Sequence, residues 1–192
     1  MWKKITAEGV QKNERHNERK NESYANLNVD TKRIVFNVYF KDTGGLTYNE
    51  YFQKRIDEGQ ISTRGQKAGA TIFNELVVDV NTRYFEQHGG YKYAKQFYKE
   101  AYRFACEIYG ENNIVSAVMH ADELNKAVSE GLGKPVYHYH LHIVAIPTVR
   151  KEILWSKRCK DDALRGTVKE VINQVSHSKK WKNTVPLLDE NG

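Results

Sequence analysis

Three histidines alternate along residues 136–147, VYHYHLHIVAIP, in a chain that has seven in all. A β-strand projects every second side chain to one face, so His138, His140 and His142 share a face while Tyr139, Leu141 and Ile143 take the other. Two imidazoles at i and i+2 can converge on one divalent cation, with a third ligand from a neighbouring strand. The stretch MHADE offers that ligand: His120 closes an apolar, strand-like segment, and Asp122 and Glu123 follow it. Antiparallel pairing of 113–120 with 137–146 would bring His120 to the face of His140 and His142. A half-exposed polar face is the plainer reading of one such histidine. Three in alternation, beside His-x-Asp-Glu, point to a metal. Three imidazoles leave coordination positions for substrate oxygens, which suits phosphodiester cleavage or hydrolysis.

The rest of the chain must position this set. RIVFNVYF (33–40) reads as a strand carrying Asn37, and LTYNEYFQKRIDEGQ as a helix opened by Thr47 and closed near Gly59. TIFNELVVDV (71–80) is apolar enough for a strand. In YKYAKQFYKEAYRFACEIYG, Tyr91, Ala94, Phe97, Tyr98, Ala101, Phe104, Ala105 and Ile108 recur at three- and four-residue intervals, and Gly110 ends the helix they define. NIVSAVMHAD (113–122) and VYHYHLHIVAIP are two further strands, joined by a short helix or hairpin loop. Residues 157–176 read as a basic, moderately amphipathic helix. The expected fold is α+β, a central antiparallel sheet flanked by helices.

The 192 residues suit one domain, 1–192, with a polar arm over about 1–32 and a basic region over about 150–183. The arm holds too few apolar residues to bury itself, so it lies over something or stays mobile. No apolar run approaches the roughly 18–20 residues of a membrane span. The start, MWKKITAEGV, lacks the apolar core of a signal peptide, and Cys106 and Cys159 give neither a disulfide framework nor a paired-cysteine metal site. A reduced, cytoplasmic protein is expected. The formal net charge is +6, and Arg150–Lys182 alone holds ten Lys/Arg against four Asp/Glu. Such a surface favours a polyanion, nucleic acid above all, or serves simply as a solvated face.

HADE followed by HLHIVAIP, preceded by HNERKNESYANLNVD and a strand bearing Asn37, resembles the Mob/Pre (MobV) plasmid mobilisation relaxases of the HUH endonuclease superfamily. GQISTRG and VINQVSHSKKW resemble family sequences as well. The likeness spans about residues 10–182. One departure is the spacer LNKAVSEGLGKPVY, where family members carry a short one with Thr-Pro, and it bears on Glu123 and His138. The resemblance implies an HUH nuclease domain that cuts and rejoins single-stranded or hairpin DNA at an origin of transfer. The reaction is a transesterification that links the protein to the 5′ phosphate. It implies Mn²⁺ or Mg²⁺ held by His120, His140 and His142, although an all-imidazole site also accepts Zn²⁺ or Ni²⁺. His16 of HNER maps onto the family's histidine nucleophile, with Tyr24 as its rival. Glu18 or Glu22 would orient the nucleophile, and Glu123 would serve as an acid or base. Arg19, Asn37, Arg64, Lys67, His138, Lys157, Arg158, Lys160, Lys179 and Lys180 are the expected DNA contacts, with Trp155 and Trp181 available for base stacking. The longer relatives imply that coupling or dimerisation partners bind a C-terminal part beyond this domain. The alternatives are a rolling-circle initiator, which usually carries a tyrosine on a helix after His-x-His, a non-catalytic DNA-binding domain with a structural metal, and a small metal-dependent hydrolase. No tyrosine follows residue 139.

Overall fold

The computed structural model describes residues 2–21 and 28–182. Five strands form one antiparallel sheet: β1 (Trp2–Ile5), β2 (Val38–Lys41), β3 (Phe73–Asp79), β4 (Ile114–Leu124) and β5 (Tyr137–Ala145), in the order β1-β3-β5-β4-β2. The histidine strand β5 is therefore central, with β3 and β4 on its two sides. Helices α1 (Val10–Asn17) and α2 (Tyr48–Asp57) pack on one face, and α4 (Gly90–Tyr109) on the other. Short helices α3 (Thr82–Gln87) and α5 (Lys126–Leu132) border the strand ends.

Alternation along β5 explains why the site faces α1. Leu141, Ile143 and Ala145 join Tyr98, Ala105, Tyr109 and Met119 in the core beneath α4, whereas Val144 and Ile146 join Val10, Tyr48, Phe52 and Phe73. His140 and His142 share the parity of Val144, so they fall on the α1 side. Each large apolar side chain buried in these clusters contributes roughly 1.5–3 kcal/mol. The expected helix at Thr47 is present with a full capping box: Thr47 Oγ1 accepts from the Glu50 amide, and the Glu50 carboxylate accepts from the Thr47 amide. Helix α4 ends at Gly110, whose φ of 84° is open to glycine without cost.

Two expectations are corrected. Residues 31–36 form a 3₁₀ helix, not the start of a strand, because the Asp30 carboxylate accepts from the Lys32 amide and turns the chain; the strand begins only at Val38. The basic segment is not a helix. Strands β6 (Thr148–Leu154) and β7 (Val168–Val175) form a separate antiparallel hairpin, followed by the single turn α6 (His177–Lys180). The described part of the polar arm is built into the domain: β1 is an edge strand paired with β3, and α1 buries Val10, Asn13, Glu14 and Asn17 against the rest. Among the described residues no helix is long and apolar enough to cross a membrane.

Candidate metal centre and active site

Helix α1 ends above the histidine face of β5, and its last turn points down at it. Register pairs His120 with His140 and Val118 with His142, which sets three imidazoles side by side on β4 and β5. Their ring centroids lie 4.9–5.1 Å apart. The ring of His16 completes the group, 5.4 Å from His120 and 5.1 Å from His142. Each of the four can offer a nitrogen within 4.8 Å of the others; His120, Asp122 and Glu123 form a second group meeting the same limit.

The donor set fits a divalent cation. Nδ1 of His140 and Nε2 of His142 are buried and have no hydrogen-bond partner among the described residues. Buried polar atoms are nearly always paired, so two orphans in one cluster call for a bound species. His142 Nδ1 lies 3.1 Å from Glu75 Oε1, and Asn13 and Asn17 donate to the same carboxylate. That network assigns the proton to Nδ1 and leaves Nε2 aimed into the cluster, the carboxylate–histidine arrangement of metal sites. His120 Nε2 lies 2.9 Å from the Asn17 carbonyl, which assigns its proton there, and the unprotonated Nδ1 faces His140 Nε2 at 3.3 Å inside the cluster. Burial, then the neighbouring imidazoles and Arg19, hold His120 and His140 well below the usual histidine pKa. Both are therefore neutral at pH 7, as ligation requires. Burial raises Glu75, but the hydrogen bond and charge of His142 outweigh it and keep the carboxyl ionised. Glu75→Gln is expected to weaken Mn²⁺ binding by about 10–100-fold in a calorimetric titration, because the orienting charge behind His142 is lost.

Asn17, Glu18 and Arg19 of HNER (16–19) tie the end of α1 to β3, β4 and α2. Asn17 joins Glu75 of β3 to His120 of β4. The Glu18 carboxylate accepts from Tyr48 Oη at 2.7 Å and Ser116 Oγ at 2.8 Å, so it anchors α1 to α2 and the sheet. Arg19, the only described non-glycine residue with positive φ (52°), turns its buried guanidinium onto Asp122 (2.6 Å) and Glu123 (2.8 Å). Arg19, expected among the DNA contacts, is engaged in this internal ion pair. Asn37 is likewise engaged inside, donating to Asp122 at 3.0 Å and accepting from the Ala121 amide at 2.7 Å. These bonds shape the bulge between His120 and Glu123. Removing one partner of a buried pair strands the other charge, so Arg19→Ala is expected to cost about 3–5 kcal/mol in urea unfolding.

The remaining expected residues scatter. Glu123 Oε1 lies 3.8 Å from His140 Nε2 at the rim of the cluster. His138 stacks on His140 (5.1 Å, 25°), and its nitrogens face Thr82 and Asp79, not the other histidines. Arg64 pairs with Glu170 at 2.7 Å. Lys67 and Lys179 line, with Lys4, a cavity of about 500 Å³ built from GQISTRG and VINQVSHSKKW neighbours. Lys157, Arg158 and Lys160 follow β6, all three exposed; Lys180 is half-buried on α6. Trp181 is half-buried, packs on Tyr109 and donates to Asn74. Trp155 is half-buried with the Lys169 ammonium 4.8 Å over its ring. Glu22 and Tyr24 lie outside the described residues. Glu75 and Asn17 escaped the sequence reading; for Glu75 the available signal was a carboxylate in the middle of the strand-like TIFNELVVDV.

An antiparallel sheet whose central strand carries His-hydrophobic-His beneath a helix is a fold of the HUH type. The chain belongs to the Mob_Pre family, plasmid recombination enzyme, whose model matches residues 1–192. It is 29% identical over 161 residues to plasmid recombination enzyme type 2 of Staphylococcus aureus, covering 79% of this chain and 36% of that protein. A plasmid recombination enzyme of a Bacillus species is 28% identical over 149 residues, 73% of this chain and 33% of its own length. The chain thus spans about a third of these relatives. Among solved structures, a MobM relaxase domain (MOBV; Mob_Pre) bound to 22-nucleotide plasmid oriT DNA with a 3′ thiophosphate, Mn-bound, superposes with a TM-score of 0.63. Identity is 21%, over 85% of this chain and 74% of that one. The same domain on 26-nucleotide oriT DNA gives 0.53 at 20% identity, over 77% and 67%. At these identities the likeness is one of fold.

Proposed function

We propose that this chain is the nuclease part of a metal-dependent relaxase that nicks and rejoins one DNA strand at an origin of transfer, forming a covalent link to the 5′ phosphate. The observation that carries this reading is His16, a half-buried histidine in the same cluster as three buried imidazoles. Burial, then the charges of His142 and Arg19, lower its pKa, so at neutral pH the ring keeps a lone pair for attack.

Mn²⁺ or Mg²⁺ held by His120, His140 and His142 would offset the negative charge of the scissile phosphate. His16 attacks phosphorus through its unprotonated nitrogen, and the P–O3′ bond breaks with its electron pair on the 3′ oxygen. The imidazolium so formed sheds one proton and the 3′ oxygen gains one, so no net proton is consumed. We assign that relay to Glu123, whose charge is felt at His16. The product is a phosphoramidate, and the freed 3′ hydroxyl can reverse the step.

The exposed lysines and arginines of the β6–β7 connection, with Lys4, Lys67 and Lys179, supply a path for the DNA backbone. Partners that couple or dimerise such proteins fall to the part of the longer relatives that this chain does not cover, and the reaction belongs to the cytoplasm, where plasmid DNA resides. The test is incubation with supercoiled and single-stranded oriT DNA, with and without Mn²⁺. A metal-dependent protein–DNA adduct is expected. Nicking without an adduct would mean a simple nuclease, and binding indifferent to metal would mean a structural ion.

A further inference from the structure

The spacer between the two metal motifs does more than join strands. Helix α5 is capped by Asn125, whose Oδ1 accepts from the Val128 amide while its Nδ2 donates to Thr82 Oγ1 at 3.0 Å. Thr82 Oγ1 in turn meets His138 Nδ1 at 2.9 Å, and His138 Nε2 lies 3.2 Å from Asp79. Asp79, Thr82, Asn125 and His138 thus fix one another beside the cluster. Two open hollows, of about 640 and 370 Å³, meet there and share His138, Asn125 and Ala127. The larger adds Asp79 and Arg83, the smaller Glu123 and Lys126. Both volumes lie in the range of ligand sites.

The ring of His138 stacks on His140, so it lies beside the cluster where the nucleotide next to a scissile phosphate held there can rest. What it meets is not a phosphate site: the Asp79 carboxylate is 59% exposed and repels anions. A carboxylate accepts instead from the amino groups of bases, and imidazole rings stack on unpaired bases. Arg83 and Lys126, both exposed, stand at the mouths where the backbone would pass.

Resting on the relaxase reading, we propose that these hollows are a nucleotide slot: the base flanking the scissile phosphate lies on His138 and donates an exocyclic amino N–H to Asp79. Thymine, which lacks an exocyclic amino group and offers only its N3–H, is disfavoured. The slot therefore contributes to the choice of nick site.

The test exposes the protein with Mn²⁺ to a pool of randomised single-stranded oligonucleotides and sequences the strands captured covalently and those released, whose ends define both positions flanking the nick. Wild type is expected to disfavour thymine about tenfold or more at one of them. Asp79→Asn, which keeps the size but adds an amide donor for a thymine carbonyl, is expected to reduce that bias to under threefold. His138→Ala is expected to lose it too while Mn²⁺ affinity stays within twofold. Thymine as frequent as other bases at both positions in wild type overturns the slot, as does a bias unchanged in Asp79→Asn. Loss of Mn²⁺ binding in His138→Ala would make that residue a ligand and also overturn it. Absence of any adduct in wild type sinks the relaxase reading itself, and the slot with it.

Discussion

His16→Ala is expected to abolish the covalent protein–DNA adduct, lowering strand cleavage by about a thousandfold or more, while Tyr24→Phe retains it. Removing a nucleophile costs on that scale because no other group takes over bond formation. The environment of His16 supports the assignment on three counts. Its ring sits 5.1 Å from that of His142, within the group that would hold the ion on the phosphate. Its lowered pKa keeps it unprotonated at pH 7. It also rides on a helix end pinned through Asn17, Glu18 and Arg19 to β3, β4 and α2. Gel-resolved adduct from oriT oligonucleotide, with circular dichroism to verify folding, reads the outcome. Full adduct in His16→Ala and none in Tyr24→Phe would move the nucleophile to Tyr24.

The second large effect is expected from the ligands. His140→Ala is expected to weaken Mn²⁺ binding by at least a hundredfold and Mn²⁺-supported nicking by about a thousandfold, since charge stabilisation at a transferring phosphate is commonly the largest single contribution to catalysis. His140 is only 7% exposed, and its Nδ1 has no hydrogen-bond partner among the described residues, so circular dichroism of the metal-free variant is read beside the binding data to separate packing from ligation. Isothermal titration and a nicking assay over a range of Mn²⁺ separate the two: excess Mn²⁺ should partly rescue the variant. Nicking that persists in the variant and in chelator would exclude a metal role.

The histidine strand was legible because its period of two places His140 and His142 with Val144 on one face, and central burial leaves little freedom to slip that register. Thr47 and Glu50 announced α2 through a local capping box. The failures share a cause. Leu164, Val168, Val171 and Val175 recur at helical intervals, yet Val168–Val175 becomes a strand because it pairs with β6 across a long connection that local spacing does not report. In TKRIVF the apolar pattern suggested a strand, but Val35 is 81% exposed and a side-chain cap at Asp30 decided the turn. Glu75 and Asp122 went unassigned because their meaning lies in partners far along the chain, His142 and Arg19. Three of the four clustered histidines could be grouped by strand pairing; that His16 joins them depends on α1 folding back over β5, which only the tertiary structure shows.

Where the DNA attaches is the most direct measurement of the proposed chemistry. Trypsin separates the rivals, since cleavage after Arg15 and Arg19 releases residues 16–19 while Tyr24 lies in residues 21–32. After nuclease trimming of the adduct at neutral pH, mass spectrometry should find the nucleotide on the 16–19 peptide, with a link that acid removes, as a phosphoramidate requires. A nucleotide on the 21–32 peptide, stable to acid, would contradict His16 as the nucleophile.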